Sequence, residues 1–451
     1  MTTLAGRRAL VMGLGRFGGG LGATRHLLAA GAEVTVTDLA ARGTLEASLA
    51  ELSDEQRAAI TWRLGEHRDE DFHAADVVVV NQAVPPGNRY VRLAQDAGAE
   101  TTTELELFLA ACPARLALVT GTQGKSSTVT VLAGLARVAG DFRCVHLGGN
   151  IGRSLLDDLP DMTAADLAVV EVSSYQLEHL ASHPPAHAEV VVITNLMEDH
   201  LERHGTLASY HAAKLRALEL LREGGIAILP AGCEAGTRAV VWTHGTGAGV
   251  DLALAADAFL HRGTPIAPLA ALALPGAFQR PNALCGLGAG LALGLEPSAM
   301  AAALPGIAGP AYRAEELGDF GPHGTRVIDN GVSTTPDSTE SVLAGLEGPV
   351  ALLVGGHSKG QDLATLVACG RDRLARVACF GSAAAELAAA FGALPAEVTT
   401  HPTVEAAVAH AFAGMDPGET LLFSPACSSF DAYNNFEERV RAFRAALPRR
   451  S

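Results

Sequence analysis

Leu116-Ala117-Leu118-Val119-Thr120-Gly121-Thr122-Gln123-Gly124-Lys125-Ser126-Ser127 is a short apolar run that breaks into two glycines, a lysine and two serines. A continuous apolar run of this length reads as a strand buried on both faces, and the residues from about 126 onward read as a helix. Strand, glycine loop and helix in that order present successive backbone amides at a helix N-terminus, where they can cradle phosphate oxygens. Lys125 would neutralise phosphate charge, and the Ser126 hydroxyl could hold Mg²⁺. The usual P-loop has a glycine five residues before its final one; Val119 stands there, so this is a shorter loop. The plainer alternative is a glycine turn with an exposed lysine.

Upstream, a strand is expected over 8–13, a helix over 22–30 and a β-branched strand over 33–38. Gly13-Leu14-Gly15-Arg16-Phe17-Gly18 lies between the first two and matches G-x-G-x-x-G, with Asp38 closing the next strand. That pattern fits a nicotinamide dinucleotide, any other diphosphate, or a purely structural turn. A further apolar strand over 76–80 ends in Asn81-Gln82-Ala83-Val84-Pro85-Pro86-Gly87. Downstream, strands over 167–172 and 190–194 are read as leading directly to Glu171 and His200. A carboxylate suits Mg²⁺, whereas imidazole is a less usual ligand for it. A helix-capping carboxylate and a surface histidine are the bland readings. His200 and His204 are four apart, but Leu201 follows the first, so the zinc-protease motif is absent. Lys214, on a helical stretch, reads by itself as a solvated lysine. A third unit begins near Gly309-Pro310, with strands over 350–354, 376–380 and 420–423 and a helix around 383–390. Three sets of apolar strands ending in polar residues make an α/β fold, with ligands expected beyond the carboxyl ends of the strands.

With 451 residues, the chain exceeds one hydrophobic core, and two or three domains are expected. Hydrophobic residues make up 48% and charged residues 18%, as in a globular protein. The net charge of −16 argues against nucleic acid or an anionic membrane as a broad partner, although local amides and a few cations still allow small anions. The 7 cysteines are scattered with no C-x-x-C, which excludes a disulfide framework or thiolate zinc site as the organising principle. No leader-like segment or long apolar span is read, and a cytoplasmic location is expected.

Taken in order, these segments resemble the Mur ligase family over nearly the whole chain. The most specific are Glu171-Val172-Ser173-Ser174-Tyr175-Gln176-Leu177-Glu178, Glu198-Asp199-His200, Ser424-Pro425-Ala426-Cys427-Ser428-Ser429-Phe430-Asp431 with Asn435-Phe436-Glu437, and Gly148-Gly149-Asn150-Ile151-Gly152. The resemblance implies a Rossmann-like domain over 1–103 that holds a UDP group, a central P-loop-type ATP and metal domain over 104–309, and a Rossmann-like amino-acid domain over 310–451. It implies an ATP-dependent amide ligase of peptidoglycan precursor synthesis. The substrates would be UDP-N-acetylmuramoyl-L-alanine and D-glutamate, the intermediate an acyl phosphate, and the protein a monomer.

The resemblance assigns Leu14, Gly15, Arg16, Phe17, Asp38, Pro86 and Gly87 to the UDP substrate, and Asn150, Tyr175 and Gln176 to the muramoyl peptide and metal. Gly121, Thr122, Gln123, Gly124, Lys125, Ser126, Ser127, Asn282, Arg313 and Asn330 are assigned to the nucleotide. Thr334, Lys359, Ser429 and Phe436 would hold the incoming glutamate. One Mg²⁺ would sit with Ser126 and Glu171, and a second with His200 and a carbamylated Lys214; Lys125, His200 and Lys214 are the catalytic set. Gln123, Phe278-Gln279, Asn330 and Val332 depart from the commonest family residues, which are Asn, His-Asn, an acid and a lysine. Two other readings remain: a nicotinamide-dependent oxidoreductase, which leaves the second phosphate loop unused, and a non-catalytic nucleotide-binding homologue.

Overall fold

The computed structural model describes residues 3–449 apart from 16, 17, 153, 182, 183, 185, 186, 235, 238, 247, 248 and 359. The chain forms two compact units, one of Met1–Leu272 with Pro281–Pro305 and one of Ala273–Arg280 with Gly306–Ser451.

The first unit holds two sheets. Strands β1 (Arg8–Met12), β2 (Glu33–Asp38), β3 (Thr61–Leu64), β4 (Val77–Val80) and β5 (Glu100–Thr102) are all parallel, in the order β3-β2-β1-β4-β5. β4 is four consecutive buried valines because helices cover both of its faces. The helix Gly19–Ala29 follows β1 and crosses close over the turn. A Cβ on Gly20 would lie 2.3 Å from the Gly13 carbonyl oxygen, so this position admits only glycine.

The second sheet contains β6 (Arg115–Thr120), β7 (Val145–Gly149), β8 (Leu167–Glu171), β9 (Ala188–Ile193), β10 (Leu221–Pro230), β11 (Val240–Gly245), β12 (Leu252–Leu254), β13 (Ala258–His261) and β14 (Thr264–Pro268). Their order is β14-β13-β12-β11-β10-β9-β6-β8-β7, parallel from β7 to β12, with β13 and β14 added antiparallel. The chain leaves β6 for β7 and β8 on one side, then returns to pair β9 on the other. The strand order therefore reverses at β6, which opens a crevice above its carboxyl end. One apolar cluster runs from Leu21 and Leu27 through Leu105 and Phe108 to Leu118 and Val170, so the two sheets share a core.

The second unit holds β15 (Glu315–Phe320), β16 (Thr325–Asp329), β17 (Val350–Gly355), β18 (Leu374–Phe380), β19 (Glu397–His401) and β20 (Thr420–Ala426) in the order β15-β16-β20-β17-β18-β19. Only the β15–β16 pair is antiparallel. Along β17, Val350, Leu352 and Val354 enter one apolar cluster and Ala351 and Leu353 another, the two-face alternation of a fully covered strand. The alanine-rich stretch is a helix, Ala384–Phe391, as expected. Strand limits differ from those expected by one to three residues, most at β20, which runs to Ala426. No helix among the described residues is long and apolar enough to cross a membrane.

Candidate active site

The loop after β6 is shaped by glycines that no other residue can replace. Gly121 has φ 146°, and a Cβ there would lie 1.9 Å from Thr194 Oγ1; Gly124 has φ 81°, and a Cβ would lie 2.1 Å from Asn282 Oδ1. Gly124 is the N-cap of the helix Lys125–Ala139, whose first turn has neither a side-chain cap nor an acidic residue. The first-turn amides of this long helix are therefore left without a side-chain acceptor, an arrangement that suits an anion. The loop after β9 braces it: Asn195 Oδ1 accepts from the Gln123 amide at 2.9 Å, and Thr194 Oγ1 donates to the Gln123 carbonyl at 2.5 Å. Thr122 Oγ1 accepts from the Met197 amide at 3.0 Å. Lys125 folds back over the loop, donating to the carbonyls of Gly121 at 2.9 Å and Thr122 at 2.8 Å. Asn282 belongs to the helix Gln279–Ala292, and its carbonyl accepts from Thr128 Oγ1 at 3.3 Å. Ser126 and Ser127 are both buried.

Ser126 Oγ donates to Glu171 Oε2 at 2.6 Å, and Asn150 Nδ2 donates to Oε1 at 3.0 Å. Glu171, at the end of β8, is 1% exposed. It is not a helix cap, because Ser173 and Gln176 form a reciprocal capping box on the helix Ser174–Leu177. A hydroxyl and a buried carboxylate converging beside a phosphate-type loop are hard oxygen donors of the kind Mg²⁺ takes, so the residues fit that ion. The Oε1 of Gln176 accepts from the Ser173 amide at 2.9 Å, so that oxygen caps the start of the helix.

His200 does not follow its strand directly. β9 ends at Ile193, and His200 lies beyond an intervening loop as the N-cap of the helix Leu201–His204, with φ 51°. Its Nδ1 lies 3.4 Å from the Tyr175 hydroxyl and 3.4 Å from Glu202 Oε1. The reading of Lys214 as solvated is overturned: in the helix Leu207–Leu215 it is 1% exposed. Its Nζ donates to the Gly121 carbonyl at 2.7 Å and lies 4.5 Å from the centre of the Tyr210 ring. Burial, and then the neighbouring charge of Lys125, bring its pKa down to about 7. Tyr210, which the sequence did not single out, stands between Lys214 and His200, whose ring centre is 6.0 Å from its own. A near-neutral amine beside these groups fits carbamylation, which needs the unprotonated form.

At the first turn, Asp38 accepts from the Gly15 amide at 3.1 Å and the Ala40 amide at 2.8 Å, so it holds the loop in shape. Leu14 is wholly buried, which leaves its backbone and not its side chain for any ligand. Gly87 has φ 72° beside the exposed Pro86. Arg16, Phe17 and Lys359 lie outside the described residues.

In the second unit, Asn330 does not face a nucleotide. It is 3% exposed, donates to Ser424 Oγ at 2.9 Å and accepts from the Ala314 amide at 3.2 Å, so it ties β16 to β20. Arg313 is exposed. Thr334 is half-buried, Ser429 is buried, and Phe436 opens the helix Phe436–Ala446 with its ring 6.0 Å from Tyr312. What joins these segments is Arg439, a residue absent from the sequence reading. Fully buried, it donates to the carbonyls of Cys427 at 2.9 Å, Gly355 at 3.2 Å, Gly331 at 3.3 Å and Ser333 at 3.4 Å. The available signal was its place on the buried stripe with Val440 and Phe443.

The Mur ligase middle domain model matches residues 119–290, and the model of the Mur ligase glutamate ligase domain matches 313–427. A UDP-N-acetylmuramoylalanine–D-glutamate ligase of Geobacter metallireducens is 34% identical over 455 residues, covering 98% of each chain. One from Roseiflexus sp. is 34% identical over 468 residues, again covering 98% of each. Among solved structures, the UDP-N-acetylmuramate–alanine ligase of Thermotoga maritima superposes with a TM-score of 0.60 at 16% identity, covering 97% of this chain and 98% of that one. A MurF ligase of the same organism, solved with ADP, gives 0.60 at 16% identity over 99% of both chains. These structures speak for the fold, and the full-length relatives for descent: this chain belongs to the Mur ligase family.

Proposed function

We propose that this chain is the ATP-dependent ligase that adds D-glutamate to UDP-N-acetylmuramoyl-L-alanine in peptidoglycan precursor synthesis. The observation that carries the reading is the loop after β6, where Lys125 and a buried Ser126–Glu171 pair meet a buried Lys214. Relatives that carry this activity in their names match the chain from end to end. The nicotinamide reading gives this second loop no task.

A carboxylate is a poor acyl donor at neutral pH, and phosphorylation supplies a leaving group. One carboxylate oxygen attacks the γ-phosphorus of ATP, the bond from phosphorus to the β–γ bridging oxygen breaks, and ADP leaves. The glutamate amine then attacks the acyl carbon, loses a proton, and phosphate departs. Lys125 and the helix amides stabilise the charge that moves onto the phosphates. Ser126 and Glu171 would hold one Mg²⁺, and His200 with a carbamylated Lys214 a second; bound there, the ions screen the approach of two anions. The UDP group is assigned to the Gly15 turn and Gly87, with Asp38 holding that turn, and the muramoyl peptide to Asn150 and Tyr175. Thr334, Lys359, Ser429 and Phe436 are assigned to glutamate, with domain limits at 103 and 309. A cytoplasmic monomer is part of the same reading. Mass spectrometry of the product formed from UDP-N-acetylmuramoyl-L-alanine, ATP, Mg²⁺ and single amino acids tests it. Amide product with D-glutamate is expected, and no amide with any amino acid overturns it.

A further inference from the structure

Three loops of the first unit meet at one side chain that none of the roles above uses. Arg203 is on the helix Leu201–His204, three residues after His200, and its side chain is 11% exposed. Its Nε donates to Glu178 Oε1 at 2.7 Å, and Nη2 contacts the same oxygen. The rest of the fork crosses to the loop after β4. Nη1 donates to the Ala83 carbonyl at 3.1 Å, and Nη2 donates to the carbonyls of Gln82 at 3.2 Å and Val84 at 2.8 Å. Its Cζ lies 4.8 Å from the centre of the Tyr175 ring. His179 Nε2 meets the Val84 carbonyl at 2.9 Å, and Ser173 Oγ lies 3.2 Å from Gln82 Oε1. His204 Nδ1 lies 3.4 Å from Glu178 Oε2.

The β4 loop is in turn fastened to the first glycine turn, because Asn81 Nδ2 donates to the Gly13 carbonyl at 3.1 Å. A continuous chain of bonds thus runs from Gly13 through Asn81 to the 82–84 carbonyls, through Arg203, and into the segments that carry Tyr175 and His200. Glu178 neutralises the guanidinium, so its buried charge is compensated. The planar fork is what lets one group serve a carboxylate and three carbonyls, a set that a lysine ammonium cannot match.

We propose that Arg203 is a positioning residue that fixes the span between the first glycine turn and the phosphate loop. It acts on a substrate that must reach from one to the other, without touching that substrate. This rests on the reading above, in which the UDP group occupies the first turn and the terminal carboxylate lies at the phosphate loop. A misplaced anchor costs reactivity at the far end of a long substrate even when each end's own site is intact.

Calorimetric binding and steady-state kinetics on the full chain test this with Arg203→Ala and Arg203→Lys. In Arg203→Ala, affinity for UDP alone and the KM for ATP should stay within about twofold of wild type. Affinity for UDP-N-acetylmuramoyl-L-alanine should fall at least about tenfold and kcat should fall further. Arg203→Lys should recover part of the loss. Equal weakening of UDP and the full substrate, an equal rise in the KM for ATP, or no change at all would overturn the proposal. If Arg203→Ala does not fold, Arg203→Lys and Glu178→Gln carry the same comparison between UDP and full substrate. A wild-type protein that forms no amide would sink the functional reading instead; a wild-type ligase matched by its Arg203→Ala variant would sink this inference alone.

Discussion

Lys214 and Lys125 donate to the same carbonyl oxygen, that of Gly121, at 2.7 and 2.9 Å. Two ammonium groups on one acceptor cannot both be comfortable, and the more buried one gives way. Lys214 is brought down to about 7 by burial first and Lys125 second.

That shift has a sign. The folded pKa lies below that of an unfolded lysine, so the unfolded chain binds the extra proton between the two values. Stability must then rise with pH across that window, from about 7 toward the ordinary lysine range, and the full cost of the buried charge is felt below it. Lys214→Met should flatten this part of the stability profile, measured by denaturant melts at a series of pH values. An unchanged slope would mean that Lys214 keeps an ordinary ammonium.

The same amine should take up carbon dioxide. The ammonium first gives up one proton, the neutral nitrogen attacks the carbon, a second proton is released, and the side chain has changed from a cation to an anion. Native mass spectrometry of the wild type in bicarbonate should show one added carbon dioxide that Lys214→Ala lacks. Lys214→Ala should lose most ligation and regain some with a short carboxylic acid, and Lys214→Arg should stay inactive because a guanidinium does not deprotonate. Wild-type turnover in either variant contradicts the assignment.

Lys125→Ala should lower turnover by orders of magnitude while the melting temperature barely moves, because the Gly121 carbonyl keeps Lys214 as a donor and a like charge beside Lys214 is removed. Turnover near wild type would remove the loop from the phosphoryl-transfer step.

Glu171→Gln isolates charge from shape. A glutamine can still meet Ser126 and Asn150, so the fold should persist, whereas a buried carboxylate beside the loop is gone. Ligation should fall by orders of magnitude, and the Mg²⁺ concentration for half-maximal rate should rise. An unaltered Mg²⁺ requirement would place the ion elsewhere.

Much of this was legible in the sequence because parallel strands buried on both faces are unbroken apolar words. β4, β6 and β17 could be read directly, and the polar letters after them pointed to the strand ends. The edge of the second sheet was not legible. β12 has three residues and β13 four, with only part of each buried, too little pattern to separate from a loop. Side-chain roles were harder still. Asn330 spends both ends of its amide inside the fold, and Gln176 spends its Oε1 on a helix cap. Lys214 looked solvated because a helical lysine usually is, yet the chain has only 3 lysines, at 125, 214 and 359, among 33 basic residues. Where arginine fills nearly every cationic position, a retained lysine marks a place that needs a deprotonatable amine or a compact point charge.

Arg439 offers the last test. Its guanidinium is fully buried, and burial brings its pKa down to about 10. Among the described residues no carboxylate bonds to it; four carbonyls do, from the end of β17 and the segments after β16 and β20. Those segments lead to Thr334, to 359 and to Ser429, and Arg439 itself lies one turn after Phe436. Arg439→Lys can reach one or two of the four carbonyls and leaves the others unmet, at a cost of about 2–4 kcal/mol in stability. If the four carbonyls set the geometry of the acceptor site, the KM for D-glutamate should rise at least about tenfold at a temperature where the variant is fully folded. The KM values for ATP and the UDP substrate should stay near wild type, since their assigned residues lie largely in the first unit. A variant that is less stable yet binds glutamate normally would reduce Arg439 to a packing role.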